Sequence, residues 1–314
     1  MSQGSRVRGV FRPAISIGTA VWIALAIASF APRVHLGIIE VLFLLAPWIV
    51  VPLGADLVRG GRASKSSAVR DCVLFTAASL TTVSFFLDNQ TAAAWFASSW
   101  LLVCAGFAGD GVRRFVISGR SSFTQFCFAA GEGYLLVAAA WLVASRAGLQ
   151  PLAFREPIVL LTAVHFHFAG FASAVLAGLA DEAFVGHRGH RILRPALLAV
   201  VLGPGILGLA FLLGPKVKLV AALLIALGQF GLAGGMVRVG MATQNSGGRW
   251  LLLVAGASVA AGMILAGAWA IGEYPLQAFV NIRQMAEFHG TLNAVGFVLS
   301  GLLGWTMVNA KQPA

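Results

Sequence analysis

Charged side chains are what this 314-residue chain lacks: Asp, Glu, Lys and Arg together make up 11% of it, against about a quarter of a soluble domain. So little charge cannot clothe a water-soluble surface. With 59% hydrophobic residues, the chain reads as an integral membrane protein. Acid is the scarcer sign, with 11 Asp and Glu against 22 Lys and Arg. The excess of +11 would suit nucleic acid as a partner. The basic residues, however, fall in short clusters between apolar runs, with no basic stripe carrying interleaved aromatics, so nucleic acid is excluded. Cysteine is nearly missing as well. Cys72, Cys104 and Cys127 lie in or beside apolar runs without CxxC spacing, which excludes a disulfide framework and a thiolate metal centre. Long polar linkers are absent too. The connections run roughly 5–15 residues, the range expected inside one bundle, and residues 1–314 read as a single integral membrane domain.

What is present is a succession of apolar runs. A helix of about 20 apolar residues crosses the hydrocarbon of a bilayer. Ten runs qualify, at 13–31, 36–57, 72–87, 91–109, 121–144, 157–180, 195–213, 216–238, 250–271 and 284–308. The expectation is an all-α polytopic bundle of about ten spans. The first run follows basic residues as a signal peptide would, but its length marks it as a span. The 37 glycines fit closely packed membrane helices. The basic residues alternate in side. Arg6, Arg8, Arg12, Arg59, Arg62, Lys65, Arg70, Arg113, Arg114, Arg120, Arg188, Arg191, Arg194, Arg238, Arg249 and Lys311 fall on the side of the N-terminus. Only Arg33, Arg146, Arg155, Lys216, Lys218 and Arg283 fall on the other. The positive-inside bias therefore predicts both termini in the cytoplasm.

Within those runs sit polar groups that hydrocarbon penalises. An ionisable side chain at a membrane-helix centre costs about 2.5–3.5 kcal/mol on insertion scales, so such groups usually turn inward and mark a working site. Glu132, His165, His167, His289 and Asn293 are the candidate catalytic residues. His289 and Asn293 are four apart and share a helix face. His165 and His167 are two apart, about 200° around a helix, and reach one spot only if the helix unwinds there. One of them is then expected to face the site while the other bonds a neighbouring helix. Glu132 lies between Gly131 and Gly133, which open room for a backbone or a ligand. With no Lys or Arg expected at its depth, its carboxyl would be neutral and hydrogen-bonded to a histidine or polar neighbour. The histidines and Glu132 are expected around one cavity in the outer half of the membrane. Candidate substrate-lining residues are Phe168, Phe171, Trp95 and Phe96, Trp100, Tyr134 and Gln229. Asp56, Asp110, Asp181 and Glu182 sit at cytoplasmic ends beside arginines, where solvated ion pairing is the simpler reading. Each embedded histidine also has a plain structural reading, as an interhelical hydrogen bond worth roughly 0.6–2 kcal/mol.

Two segments carry a resemblance. AVHFHFAGFASAVLAGLA at 163–180 and EFHGTLNAVGFVLSGLLGW at 287–305 resemble the YndJ-like family of bacterial membrane proteins. The matching residues are His165, Phe166, His167, Ala169, Gly170 and Phe171, then His289, Gly290, Leu292, Asn293, Ala294, Gly296 and Phe297. The resemblance implies a multi-pass protein of the bacterial cytoplasmic membrane.

Three chemistries suit the embedded groups. The first is an intramembrane acid–base enzyme, a cyclase or isomerase for a lipophilic substrate of isoprenoid or polyketide type. There a carboxylic acid gives a proton, a neutral imidazole takes one, and aromatic faces stabilise a developing cation. Beyond the substrate and the membrane lipids it calls for no cofactor and no metal. The second is a proton-coupled small-molecule transporter, since Glu and His chains also relay protons. Pro47 and Pro204, in the second and seventh runs, offer only rough matching breaks for a five-plus-five repeat. The third is a haem site on His165 or His167 with His289, or a non-haem metal site when Glu132 joins them.

Overall fold

In the computed structural model, residues 13–60, 65–118, 122–273 and 281–309 are described. They form ten long helices and, among the described residues, no strand. In chain order the helices are α1 Pro13–Ala28, α2 Ile38–Val58, α3 Lys65–Ser84, α4 Gln90–Ile117, α5 Phe123–Arg146, α6 Ile158–Phe184, α7 His190–Leu213, α8 Pro215–Ala242, α9 Ser246–Glu273 and α10 Ile282–Asn309. A helix stands at each of the ten expected places. Eight of them, α2 and α4 to α10, are long and apolar enough to cross a membrane. α1 has 16 residues, and α3 carries Lys65, Arg70 and Asp71 in its first two turns.

Local signals set several starts. Asn89 accepts from the Ala92 amide at 2.9 Å and Ser122 from the Gln125 amide at 3.2 Å, which caps α4 and α5. Asn281 and Gln284 form a reciprocal capping box at the start of α10. The ends differ more from expectation. α4 runs to Ile117 rather than stopping near 109, because hydropathy marks the hydrocarbon stretch and the helix continues through the interface to Ser118. α3 starts at Lys65 instead of 72 and ends at Ser84, for the same reason at its polar end.

Neighbouring helices pack in sequence, α4 on α5, α7 on α8, α8 on α9 and α9 on α10. α2 and α6 are the most buried spans and form the centre, in contact with each other and with α10. Small residues allow the closest approaches. A side chain on Gly131 of α5 would press on the Phe171 carbonyl of α6 at 3.0 Å, and one on Gly170 on the Tyr134 Cβ at 2.8 Å.

The three central helices share a departure from α geometry. Each contains π-helical turns, at Ala46–Val50 in α2, Phe166–Ala172 in α6, and Ala286–Gly290 and Leu292–Leu299 in α10. The segments in α2, α6 and α10 touch one another. A π turn inserts one residue and weakens the bonding ladder, and such turns collect at working sites. In α2 the turn surrounds Pro47, which has no amide to donate. Ser173 and Ser300 each stand just after a π segment, and their hydroxyls donate to the carbonyls five residues back, Phe168 at 3.2 Å and Val295 at 3.1 Å. The backbone amide of each serine reaches the same carbonyl, so amide and hydroxyl together close the last π turn.

Candidate functional site

The basic end of the bundle, where α2 and α4 finish and α5 begins, holds Glu132. Its side chain is fully buried. Arg114 Nη2 donates to its Oε2, and Arg59 Nη1 lies 3.8 Å from its Oε1. Arg59 also binds Asp110 at 3.0 Å. Gly111 makes room for the carboxylate, since a side chain there would meet Glu132 Oε2 at 2.6 Å. The expectation of a carboxyl without a cation at its depth is therefore overturned. Two arginines reach it, and it forms an ion pair instead of bonding a histidine. The cause is the length of α4: Arg114 lies on the helix, turned inward, instead of in a solvated loop. Glu132 also falls outside the outer-half cavity. It stands nine residues into α5, about 14 Å from the basic end at 1.5 Å per residue.

A second cluster lies at the same end. Asp181 is 1% exposed and accepts from Thr124 Oγ1 at 2.7 Å, His190 Nε2 at 2.5 Å and Arg194 Nε at 2.9 Å. The ion pairing was legible; the solvation was not, because α5 and α7 close over the end of α6. Asp56 pairs with Arg70 at 2.6 Å, and Glu182 is exposed.

The two histidines of α6 part company where the π turn begins. His167 is fully buried, and Trp100 Nε1 donates to its Nε2 at 2.9 Å. Its Nδ1 bonds the Ala163 carbonyl at 2.8 Å, and Phe43 meets the ring edge-on at 5.2 Å. A carbonyl only accepts, so Nδ1 carries the proton and Nε2 receives the indole. Both nitrogens are satisfied, which makes His167 a structural tie between α6 and α4.

His165 is the reverse case. From Val159 to Asp181 it is the one exposed residue of α6, with Leu161, Thr162, Phe166 and Ala169 partly exposed and the rest buried. This stripe looks out between α7 and α10. On one edge Phe166 packs on the Tyr134 ring at 5.4 Å and near Gly208 of α7. On the other side stands α10, which meets α6 through the π segments of the two helices. Both rings sit seven residues into their helices, about 10 Å below the end opposite the basic one. His165 Nδ1 bonds the Leu161 carbonyl at 3.2 Å and His289 Nδ1 the Gly262 carbonyl of α9 at 3.0 Å. By the same reasoning His165 Nδ1 carries the proton and its Nε2 keeps a lone pair, whereas His289 Nδ1 faces both the Gly262 carbonyl and, at 3.2 Å, the Asn293 amide donor. Asn293 Nδ2 donates to the His289 carbonyl at 2.8 Å, fixing the turn that carries the ring. Gly262 leaves the space for it, since a side chain there would stand 2.5 Å from Asn293 Nδ2. His289 and Asn293 thus meet on α10, with His165 at a matching depth on α6, while Glu132 and His167 bond neither.

The expected lining residues scatter. Phe168 and Phe171 are core, the latter against Gly54. Trp100 belongs to His167. Trp95 is 75% exposed on a surface crevice of about 320 Å³ with Gln90, Thr91, Ala94, Ser98 and Ala147, and Phe96 is partly buried beside it. Gln229 is buried and donates to Ser173 Oγ at 3.2 Å. Tyr134 has a structural task. Its hydroxyl accepts from the Gly205 amide at 3.2 Å and donates to the Val201 carbonyl at 2.9 Å, entering the α7 ladder beside Pro204. Ring insertion of this kind opens a helix. Among the described residues no three His, Cys, Asp or Glu side chains gather as a metal would need.

Eight apolar helices of spanning length, packed around embedded polar groups, define a polytopic all-α membrane protein. Residues 41–297 match the model of the YndJ-like protein family, and the chain belongs to that family. A relative from Bacillus subtilis (strain 168), "Uncharacterized membrane protein YndJ", is 29% identical over 178 residues, 57% of this chain and 32% of that protein. The matched stretch therefore spans about a third of the relative's length. No solved structure matches the chain.

Proposed function

We propose that the protein binds a lipophilic molecule in the recess between α7 and α10 and acts on it by acid–base chemistry, as an isomerase or cyclase of the bacterial cytoplasmic membrane. The observation that carries this reading is the exposure of His165 on a largely enclosed α6, at the depth of His289 and Asn293 on α10. Entry is sideways from lipid in this reading, which suits α7, whose end presents Leu209, Phe211, Leu212 and Leu213 outward. A neutral imidazole Nε2 takes a proton from one atom of the substrate, and the imidazolium so formed returns it to another. Such a shift conserves mass and needs no cofactor. Glu132, paired with Arg114 and Arg59, is not the acid in this scheme. The test is a comparison of lipid extracts from membranes holding the protein or its His165→Leu variant. The expected result is a product of unchanged mass and altered chromatographic retention, formed only by the unmodified protein. Identical extracts would overturn the reading.

One arrangement favours a second reading, transport. The Arg59–Glu132–Arg114 pairs tie α2, α4 and α5 together at the basic end, while the recess opens at the other. Opposed closed and open ends are what alternating access requires. Uptake into proteoliposomes with no chemical change in the substrate would favour transport over catalysis.

A further inference from the structure

The crevice beside Trp95 lies at the end of the bundle opposite the basic one. Thr91, Ala94, Trp95 and Ser98 stand three and four residues apart, so they share one face of α4 and form the wall. Ala147, at the end of α5, closes it. There the chain turns through Gly148 at φ +66°, with the Gly148 amide bonded to the Ser145 carbonyl at 3.1 Å and the Leu149 amide to the Ala144 carbonyl at 2.9 Å. The Gln90 side-chain amide rests on this glycine, since a side chain at Gly148 would stand 2.5 Å from Gln90 Nε2. The volume of about 320 Å³ is at the small end for a ligand pocket and suits one ring-sized group.

The polar groups of the crevice are uncharged and unpartnered. Among the described residues the side chains of Gln90, Thr91 and Trp95 bond no neighbour. Ser98 donates to the Ala94 carbonyl at 2.8 Å and is still able to accept. The crevice thus offers an amide and a hydroxyl that both donate and accept, an indole N–H, and an open ring face on Trp95. None of its six lining residues is charged. Arg146, next to Ala147, lies over the Phe85 ring at 4.4 Å and donates to Ser145 Oγ at 3.0 Å. A phosphate would find no cation to pair with, and a quaternary ammonium would find one ring where it needs a cage. A pyranose matches both kinds of group. Its hydroxyls donate and accept, and its C–H face is drawn to the negative face of an indole.

We infer that this crevice binds a sugar ring, stacked on Trp95 and hydrogen-bonded to Gln90, Thr91 and Ser98. Trp95 is five residues into α4, about 8 Å below its start, the level at which interfacial tryptophans meet lipid heads. The source of the sugar is a glycolipid head or a free saccharide, which the experiment separates. The inference is independent of the His165 reading, because no residue of α6 or α10 lines the crevice.

The full-length protein is placed in phosphatidylcholine nanodiscs. One set carries monoglucosyl diacylglycerol, diacylglycerol or phosphatidylglycerol with the same acyl chains, and retained lipid is read by native mass spectrometry. A second set is titrated with methyl β-glucoside and read by saturation-transfer NMR. The expected result is retention of the glucosyl lipid at least about fivefold over the other two, which assigns the site to a glycolipid, or saturation transfer to the free glucoside, which assigns it to a soluble sugar. In either case Trp95→Leu, at an exposed position, is expected to remove the effect. Gln90→Ala is expected to weaken it by a factor of roughly 3 to 10, the contribution of one net hydrogen bond. A tryptophan that only anchors the protein in the interface would not tell a glucosyl head from a bare glycerol. Equal retention of the three lipids with no transfer to the glucoside overturns the inference. So does a preference for phosphatidylglycerol, or a glucose preference that survives Trp95→Leu.

Discussion

His165 and His167 sit two residues apart on one helix and do different work. His167 fills a closed space between Trp100 and Phe43 and satisfies both its nitrogens. His167→Ala removes a buried ring and orphans the Trp100 N–H, so a loss of about 2–4 kcal/mol is expected. His165→Ala removes an exposed ring, and a change within about 0.5 kcal/mol is expected. Denaturation of both variants in detergent checks the contrast, and a His165→Ala loss as large as that of His167→Ala would contradict the assignment. The sequence showed that the two could not share one spot, because a spacing of two turns them apart. Which of them is occupied was not legible, since the decisive partner, Trp100, lies 67 residues away. His289 and Asn293 were found by their spacing of four. The ion pairing of Glu132 was not legible, because it depends on Arg114 standing on α4 and on Arg59 reaching over from the end of α2.

At the scale of the helix, α7 depends on a borrowed side chain. The Tyr134 hydroxyl bridges the Gly205 amide and the Val201 carbonyl next to Pro204. Tyr134→Phe leaves both groups without their partner, a cost of about 1–3 kcal/mol when buried. The expected outcome is faster amide exchange at Gly205 and its neighbours in α7, with α8 and α9 unchanged. Unaltered exchange at Gly205 would show that the bridge is dispensable. Helix existence was legible throughout because length and apolarity are local properties. The π turns of α6 and α10 were not, because nothing local forces them. HFHFAGFA and LNAVGFVL read as ordinary apolar helix, and only packing among α2, α6 and α10 selects the extra residue per turn.

For the molecule as a whole, the basic residues set orientation. Both termini are expected in the cytoplasm, because sixteen of the 22 Lys and Arg fall on that side of the ten-helix reading. A C-terminal phosphatase fusion should be inactive and a C-terminal fluorescent fusion bright. The reverse pattern would remove an odd number of spans from the topology. Both helices that flank α2 in sequence are tied to it. The Trp22 indole bonds the Val41 carbonyl at 2.9 Å, the Trp48 indole bonds Thr82 at 3.0 Å, and Gly18 lies against the Trp48 carbonyl. The two clasps join at Trp48, whose carbonyl meets α1 and whose indole meets α3, so a change at this one residue of α2 reaches both flanking helices at once.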